Sequence, residues 1–358
     1  MRQVLVIALP GVGDALLTVP AIRRVKDSWP DAAIDVLVMF RAAEQALQTH
    51  PAIRRVIYHD FLKASVLESL RVVGRLRATR YDASFLGFPA NRAEYTLIQW
   101  LIGARRRVGH RYGHYGWRNL DFINTRSVRE DDALHNVEEN LRLAGLVTGE
   151  PAAWTGPARL ELVLTPEDEQ FARQWVESRG LAGRRLVGMH AGTALFKNQV
   201  RRRWAPEKFA ELGRWFQATW QSPVLLFGGN EESELKATIA RGMGGDVHAV
   251  SGTTFRQTAA LIRHCAMFVS NDSGLMHTAA ALQAPCVTIF GPTSPARVRP
   301  FHAPHRVVRA GLPCSPCFFY SPHPLTCFAG LDFQCIRDVT VEQVAAAAVD
   351  LAREVSGS

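Results

Sequence analysis

Residues 267–292 constrain the fold most. An apolar strand over 267–269 ends in the polar turn Ser270-Asn271-Asp272-Ser273-Gly274. A helix of small residues follows to about 283, and a second strand over 286–290 closes in Gly291-Pro292. A β-turn-α-β unit of this kind places its ligand at the first turn, where free N–H groups and the helix dipole attract a phosphate. Asp272, Ser273 and Gly274 fit the start of the helix as cap and close-approach residues, and His277 lies one turn in on the same mouth. An ordinary capped helix in an α/β domain reads the same way, so the rest of the chain has to decide.

The remaining pattern repeats the theme. Strands are expected over 3–9, 34–39, 56–58 and 83–86, with helices over 14–26, 66–77 and 95–102. An edge segment starts at 107, followed by an irregular, aromatic and basic stretch over 110–132 and a helix over 133–144. The Gly- and Pro-rich residues 149–157 read as a linker. The pattern then restarts with a strong helix start at Thr165-Pro166-Glu167-Asp168, strands over 186–189, 224–227 and 247–250, and helices over 206–219, 231–241 and 255–264. Strands alternating with helices imply parallel sheets. At 358 residues two domains can each bury a core. The expected division is one Rossmann-like domain over 1–155, a second over 156–340, and a C-terminal helix over 341–358 that is free to pack back on the first domain.

Composition narrows the partners. Apolar content of 47% and charged content of 21% suit a soluble globular protein, and no apolar run is long enough to span a bilayer. The amino terminus superficially resembles a signal peptide, but Pro10-Gly11 and Asp14 interrupt it, which favours a buried first strand. Six cysteines without a leader argue for a reducing compartment. A net charge of +9 favours an anionic partner: nucleic acid, a phosphorylated substrate or a membrane surface.

The stretch from Pro10 to Pro20 is the second informative one. A dinucleotide fingerprint would want a third glycine where Leu16 stands and an acid after Met39, and both are missing; no P-loop is present either. Asp14 stands where the turn meets the helix. A carboxylate there could accept a proton from a hydroxyl, or cap its own helix.

Gly13-Asp14 followed by Leu16 to Pro20 resembles the amino-terminal motif of the ADP-heptose:lipopolysaccharide heptosyltransferases, glycosyltransferase family 9. His190-Ala-Gly-Thr193 with Arg202-Arg203-Trp204, Phe227-Gly-Gly-Asn-Glu-Glu232, Asn271-Asp-Ser-Gly-Leu-Met-His277, Ile289-Phe-Gly-Pro-Thr293 and His135-Asn-Val-Glu-Glu-Asn140 resemble further family motifs in the expected order. The resemblance implies a GT-B type α/β fold, two Rossmann-like doubly wound domains facing across a cleft. It also implies inverting transfer without a metal. Asp14 would be the catalytic base. Thr193 and one of Lys197, Arg201 and Arg202, next to Arg203, would hold the donor diphosphate. Glu232 or Glu231 would accept from the ribose hydroxyls, and Asp272, Ser273, Gly274 and His277 would complete the donor site. The family usually carries Lys where Arg202 stands, and a basic insert over 196–203 departs from its pattern; a solvated charged loop would read the same way.

Two features lie outside those motifs. Arg105, Arg107, Arg111 and Arg118 form a basic belt with interleaved aromatics that, with Gly13, would meet an anionic glycolipid acceptor and an anionic leaflet, or simply be solvated charge. Cys314, Cys317, Cys327 and Cys335 have a spacing that could hold zinc or iron, or be reduced thiols; Cys265 and Cys286 read as core. The favoured reading is a heptosyltransferase that uses ADP-heptose on the lipopolysaccharide inner core, cytoplasmic and peripheral to the inner membrane of a Gram-negative-type cell. It needs no catalytic cofactor and no nucleic acid. The alternatives are a nucleotide-sugar epimerase, a protein O-heptosyltransferase with a Cys-bound metal, and a nucleic-acid-binding module built on the belt and the cysteines.

Overall fold

The structure is a computed structural model that describes every residue except 115, 152–155, 157, 322 and 358. The chain forms two compact units, Met1–Val163 with Phe319–Pro322, and Leu164–Phe318 with His323–Ser358. The expected linker over 149–157 lies largely outside the described residues. The unit boundary falls after Val163, several residues beyond the 155/156 division expected, because the run up to it is bonded to the first unit. Thr49 Oγ1 donates to the Val163 carbonyl at 2.6 Å, and His50 Nε2 lies 3.3 Å from Glu161 Oε2.

The first unit runs β1 (Gln3–Ala8), α1 (Val12–Leu17), α2 (Val19–Ser28), β2 (Ala33–Val38), α3 (Arg41–Leu47), β3 (Arg55–Tyr58), α4 (Val66–Ala78), β4 (Ala83–Leu86), α5 (Ala93–Ile102), β5 (Arg106–Arg111), β6 (Arg126–Arg129) and α6 (Asn136–Thr148). The second runs α7 (Pro166–Glu177), β7 (Leu186–His190), α8 (Pro206–Trp220), β8 (Val224–Leu226), α9 (Ser233–Met243), β9 (Val247–Ala249), α10 (Phe255–Arg263), β10 (Cys265–Asn271), α11 (Gly274–Ala281), β11 (Cys286–Ile289), α12 (Pro295–Val298), β12 (His305–Val308), α13 (Gln334–Arg337) and α14 (Val341–Ser356).

Each unit holds a parallel six-stranded sheet among its described residues, β3-β2-β1-β4-β5-β6 in the first and β9-β8-β7-β10-β11-β12 in the second. Both follow the Rossmann strand order, so the order reverses between β1 and β4 and between β7 and β10. The ligand crevice of such sheets lies there, outside the carboxyl ends of the strands. The central strands read as unbroken apolar runs because helices cover both of their faces. In the second unit one face buries Trp204, Phe209 and Phe216 with the inner side of α14, and the other buries Phe227, Phe268 and Phe290.

Several elements differ from the sequence reading. The helix expected over 14–26 is two helices broken at Thr18, since Pro20 has no N–H to offer the Leu16 carbonyl. The stretch expected to be irregular, 110–132, contains β6, which pairs Val108 with Arg126 and Arg111 with Arg129; an edge strand reading Arg-Ser-Val-Arg shows no apolar run. β12 opens at His305, where no strand is expected, and α3, α12 and α13 are too short to give a period. The C-terminal helix packs within the second unit: Val341, Val344, Ala345, Ala348 and Leu351 join the core beside Trp204, and Trp204 Nε1 donates to the Val339 carbonyl at 2.8 Å.

A buried charge fixes the register of the first sheet. Asp35 is fully buried in β2. It accepts a bidentate pair from Arg54 at 2.8 and 2.7 Å, one bond from Arg55 at 2.9 Å, and one from the Tyr81 hydroxyl at 2.6 Å. Burial pushes its carboxyl up, but these donors together hold it below the usual range, while burial and Asp35 push the Tyr81 phenol up to about 12. The two arginines are partly exposed and can rehydrate, so the loss on removing the acid falls mainly on Tyr81 and the strand. Asp35→Ala is expected to cost about 2 kcal/mol in urea denaturation; a change under about 0.5 kcal/mol would show that water replaces the carboxylate without penalty.

Candidate active site

The crevice of the second unit is built from the ends of β7 and β10. β10 ends at Asn271, whose amide stitches three segments together: Oδ1 accepts from the Trp204 N–H at 3.1 Å and Nδ2 donates to the Ala191 carbonyl at 2.7 Å. α11 starts at Gly274 with Ser273 at its N-cap, yet no side chain caps it. The expected capping by Asp272 or Ser273 does not occur because both are engaged elsewhere. Ser273 Oγ lies 2.9 Å from His190 Nδ1 and 3.0 Å from Ser270 Oγ, and Asp272 is ion-paired with Arg202. The first N–H groups of α11 are therefore left without a side-chain acceptor, which suits an anion.

His190, at the carboxyl end of β7, links this turn to Glu232. Its Nε2 lies 3.1 Å from Glu232 Oε2. In a neutral ring Nε2 carries the proton for the carboxylate, which leaves Nδ1 to accept from the Ser273 hydroxyl. Arg203 Nη2 donates to Glu232 Oε1 at 3.3 Å and to the Thr193 carbonyl at 2.9 Å. Burial acts to raise the Glu232 carboxyl, but His190 and Arg203 hold it below the ordinary range. The carboxylate reaches this position only because residue 192 is glycine: a Cβ there would sit 1.5 Å from Glu232 Oε1. Gly228, at φ +146°, gives the chain its turn beneath the same carboxylate. Lys236 ties this loop down from below, donating to the carbonyls of Gly228 at 2.9 Å and Val250 at 2.7 Å. Glu231, by contrast, is exposed.

The basic insert resolves into distinct roles. Lys197 and Asn198 take left-handed backbone, φ 52° and 58°, in a kink that Leu325 bonds through the Lys197 carbonyl at 2.9 Å. Arg201 is paired with Asp332 and lies over the Phe333 ring. Arg202 points into the turn, donating to the Asp272 carbonyl and to Gln199 Oε1, both at 2.8 Å. Thr193 is buried, donates to the Gln199 carbonyl at 3.0 Å and accepts from Arg203 Nε at 3.3 Å. Of the cations that compete for a phosphate, Arg202 and Arg203 stand with Thr193, Glu232, Asp272 and Ser273.

His277 is buried one turn into α11 with Nδ1 unpartnered. Burial pushes its imidazole down to about 4, against a smaller opposing pull from Asp272. At neutral pH it is an uncharged donor or acceptor, not a cation.

In the first unit, Gly13 is buried and Asp14 half-buried in the first turn of α1, beside the β1/β4 crevice. The N-cap of α1 is Gly11, and Asp14 stands three residues on, inside the first turn. Tyr95 lies close by, its phenol raised by burial and further by the Asp14 charge. The basic belt divides. Arg107 spends its guanidinium on the carbonyls of Ala104 at 3.1 Å and Ile123 at 3.2 Å, whereas Arg105, Arg111 and Arg118 are exposed.

Cys314, Cys317, Cys327 and Cys335 line one cavity of about 70 Å³ in the second unit. Backbone N–H groups, that of Phe333 foremost, pull the Cys327 thiol down, while burial and the neighbouring sulfurs push Cys335 up to about 11. Four thiols are a suitable donor set for a soft ion. Among the described residues, however, no group of three or more His, Cys, Asp or Glu is placed to hold one. Cys265 and Cys286 are buried in the core with thiols raised by burial.

His190 and Asn271 are site residues that the sequence alone does not single out. The available signal was position: each is the last polar residue of a buried strand that borders the crevice.

The buried His277 makes stability depend on pH. Its folded value lies below the value of about 6.5 it has in the unfolded chain, so the unfolded state takes up the proton first and stability is lost as pH falls from about 6.5 towards 4. Between pH 7 and pH 5 the wild type is expected to lose about 2 kcal/mol more than His277→Gln in urea denaturation. Equal losses would mean that His277 is solvated.

Comparison with known proteins places this geometry. The family model Glycosyltransferase family 9 (heptosyltransferase) matches residues 70–323. Lipopolysaccharide heptosyltransferase 2 of Salmonella typhimurium is 28% identical over 317 residues, 86% of this chain and 88% of that protein. The structure of Escherichia coli ADP-heptose lps heptosyltransferase II superposes with a TM-score of 0.76 at 24% identity, covering 99% of this chain and 100% of the other. That of the glycosyl transferase family 9 from Veillonella parvula superposes with a TM-score of 0.79 at 20% identity, covering 99% and 98%. Two Rossmann-like units in one chain are the GT-B arrangement of such enzymes. With more than half of its length matched by the family model, the chain belongs to glycosyltransferase family 9, the heptosyltransferase family, and is a glycosyltransferase.

Proposed function

We propose that this protein is an inverting heptosyltransferase that moves a heptose from an ADP-activated donor to the inner core of lipopolysaccharide, at the cytoplasmic face of the inner membrane. The observation that carries the donor half is the start of α11, which no side chain caps, with Arg202 and Arg203 gathered beside it. A departing nucleoside diphosphate gains negative charge, and preorganised N–H donors with two guanidinium groups stabilise that charge without a metal. Arg202 rests on Asp272 and Arg203 on Glu232, so both cations are held in place before a diphosphate arrives. Glu232 is already engaged by His190 and Arg203, so it acts as an organiser, and the exposed Glu231 is the freer acceptor for ribose hydroxyls. Relatives named for heptose transfer to lipopolysaccharide, and a solved neighbour named for ADP-heptose, support the choice of sugar and nucleotide.

In the first unit Asp14 takes the proton from the acceptor hydroxyl. The hydroxyl oxygen then attacks the anomeric carbon as the bond to the diphosphate breaks, and ADP leaves from the opposite face. One carboxylate suffices for this in-line displacement. Arg105, Arg111 and Arg118 are the exposed belt residues that would meet an anionic acceptor, while Arg107 fixes the backbone beneath them. The acceptor is a glycolipid, so the protein works at a membrane surface; no helix among the described residues is long and apolar enough to cross a membrane.

Asp14→Asn keeps the size and half-buried position of the side chain but cannot take a proton. It is expected to fold with an unchanged melting temperature and an unchanged affinity for ADP, and to lose about 10²–10⁴-fold in kcat for heptose transfer. Turnover within a few-fold of wild type would remove Asp14 from the mechanism.

A further inference from the structure

Apart from Met1, every exposed large apolar side chain described in the first unit lies on one run of elements: the turn before α4, α4 itself, α5, and the short turn Asp121–Ile123 that packs on α5. Val66 is 77% exposed, Leu67 57%, Trp100 48% and Phe122 73%, with Leu62, Leu70 and Leu97 beside them. These are not strays from the core. Val73 and Leu76 of α4, and Tyr95 and Ile102 of α5, fill the core against Leu5, Ile7 and Leu37. Leu67 lies opposite the first pair on its helix, and Leu97 and Trp100 lie opposite the second. The two helices pack side by side, and Arg77 Nη1 donates to the Leu101 carbonyl at 2.9 Å to join them. Their outer apolar residues therefore share one outward face.

Around this face the exposed cations Lys63, Arg71, Arg75 and Arg77 outnumber the acids Asp60, Glu68 and Glu94. Lys63, Arg71 and Arg75 are exposed, and among the described residues none of them is paired with a carboxylate. The nearby acids keep their charge and are bonded locally. Asp60 caps the turn through the N–H groups of Leu62 and Lys63, Glu68 closes the capping box with Ser65, and Glu94 faces Arg92. Helices that show Leu, Val and Trp outward, flanked by long cationic side chains, match a bilayer interface. The apolar groups sink to the acyl boundary, the arginines reach back to the headgroups, and anionic lipid supplies the countercharge. A second copy of the chain fits less well, because a two-fold contact would set Lys63, Arg71 and Arg75 against their own kind.

We infer that this α4–α5 face is the membrane-docking surface of the protein and that its partner is an anionic phospholipid bilayer. The inference rests on the reading of a lipid-linked acceptor and adds where the bilayer sits. The helix starts of α4 and α5 follow the carboxyl ends of β3 and β4, so the cluster around Leu62, Val66 and Leu70 borders the edge of the sheet that carries Asp14. A bilayer held there keeps the sugar end of a membrane-anchored acceptor near that edge.

The test is co-sedimentation of the full chain with phosphatidylcholine vesicles, with and without phosphatidylglycerol. Wild type is expected to bind the anionic vesicles and hardly the neutral ones. L67E/L70E is expected to bind at least about tenfold more weakly with an unchanged melting temperature. R71Q/R75Q is expected to lose about fivefold per charge on anionic vesicles. L67E/L70E should also transfer heptose to a deacylated, water-soluble acceptor at the wild-type rate, but slowly to acceptor embedded in vesicles. Failure of wild type to bind anionic vesicles, or equal binding by L67E/L70E, would overturn the docking face. So would a dimer, seen by light scattering, that L67E/L70E splits. If the vesicle results are as expected and wild type transfers heptose to neither acceptor, the docking face stands and the acceptor reading fails.

Discussion

The second unit depends on one buried carboxylate. Glu232 is inside the protein, and a buried charge survives only when it is paired and hydrogen-bonded. His190 and Arg203 meet it from two sides, and Gly192 leaves it room. Each partner carries the arrangement further. His190 takes the Ser273 hydroxyl, which draws the N-cap side chain of α11 away from the helix. Arg203 takes Thr193, which holds the Gln199 carbonyl and so the base of the basic insert. Three loops from three strand ends are thus set by a single negative charge, and a helix start that would normally be capped stays open.

The first unit has the same strand order with different turn residues. Its crevice carries Asp14 in the first turn of a short helix, an acid where the first turn of α11 has none. An acid there repels a phosphate and suits a proton acceptor. On the proposed reading the same topology serves anion binding in one unit and base chemistry in the other, and the difference lies in a few turn residues.

Much of this was legible in the sequence. Both Rossmann halves showed as apolar strands followed by Gly-containing turns, and the turns at Asp14, Thr193, Glu232 and Ser273 announced the crevices, because backbone approach and phosphate-binding amides demand small and polar residues at fixed offsets. What the sequence hid has physical causes. Side-chain partners across loops have no local signature: nothing near Ser273 says that His190, more than eighty residues earlier, takes its hydroxyl. The break at Thr18 follows from one missing N–H that a periodic pattern masks. The edge strand β6 is built from arginines because one side of it needs no apolar cover. The four cysteines have the spacing of a metal knuckle and share a cavity, yet spacing along the chain does not fix the convergence of their sulfurs.

Hydrogen exchange of the full chain with and without ADP reads out where the nucleotide orders the backbone. If the start of α11 and the loops around Glu232 hold the diphosphate, ADP protects the peptides that carry residues 190–203, 228–236 and 270–278. ADP protection confined to the first unit around Asp14, or absent from the start of α11, would contradict it.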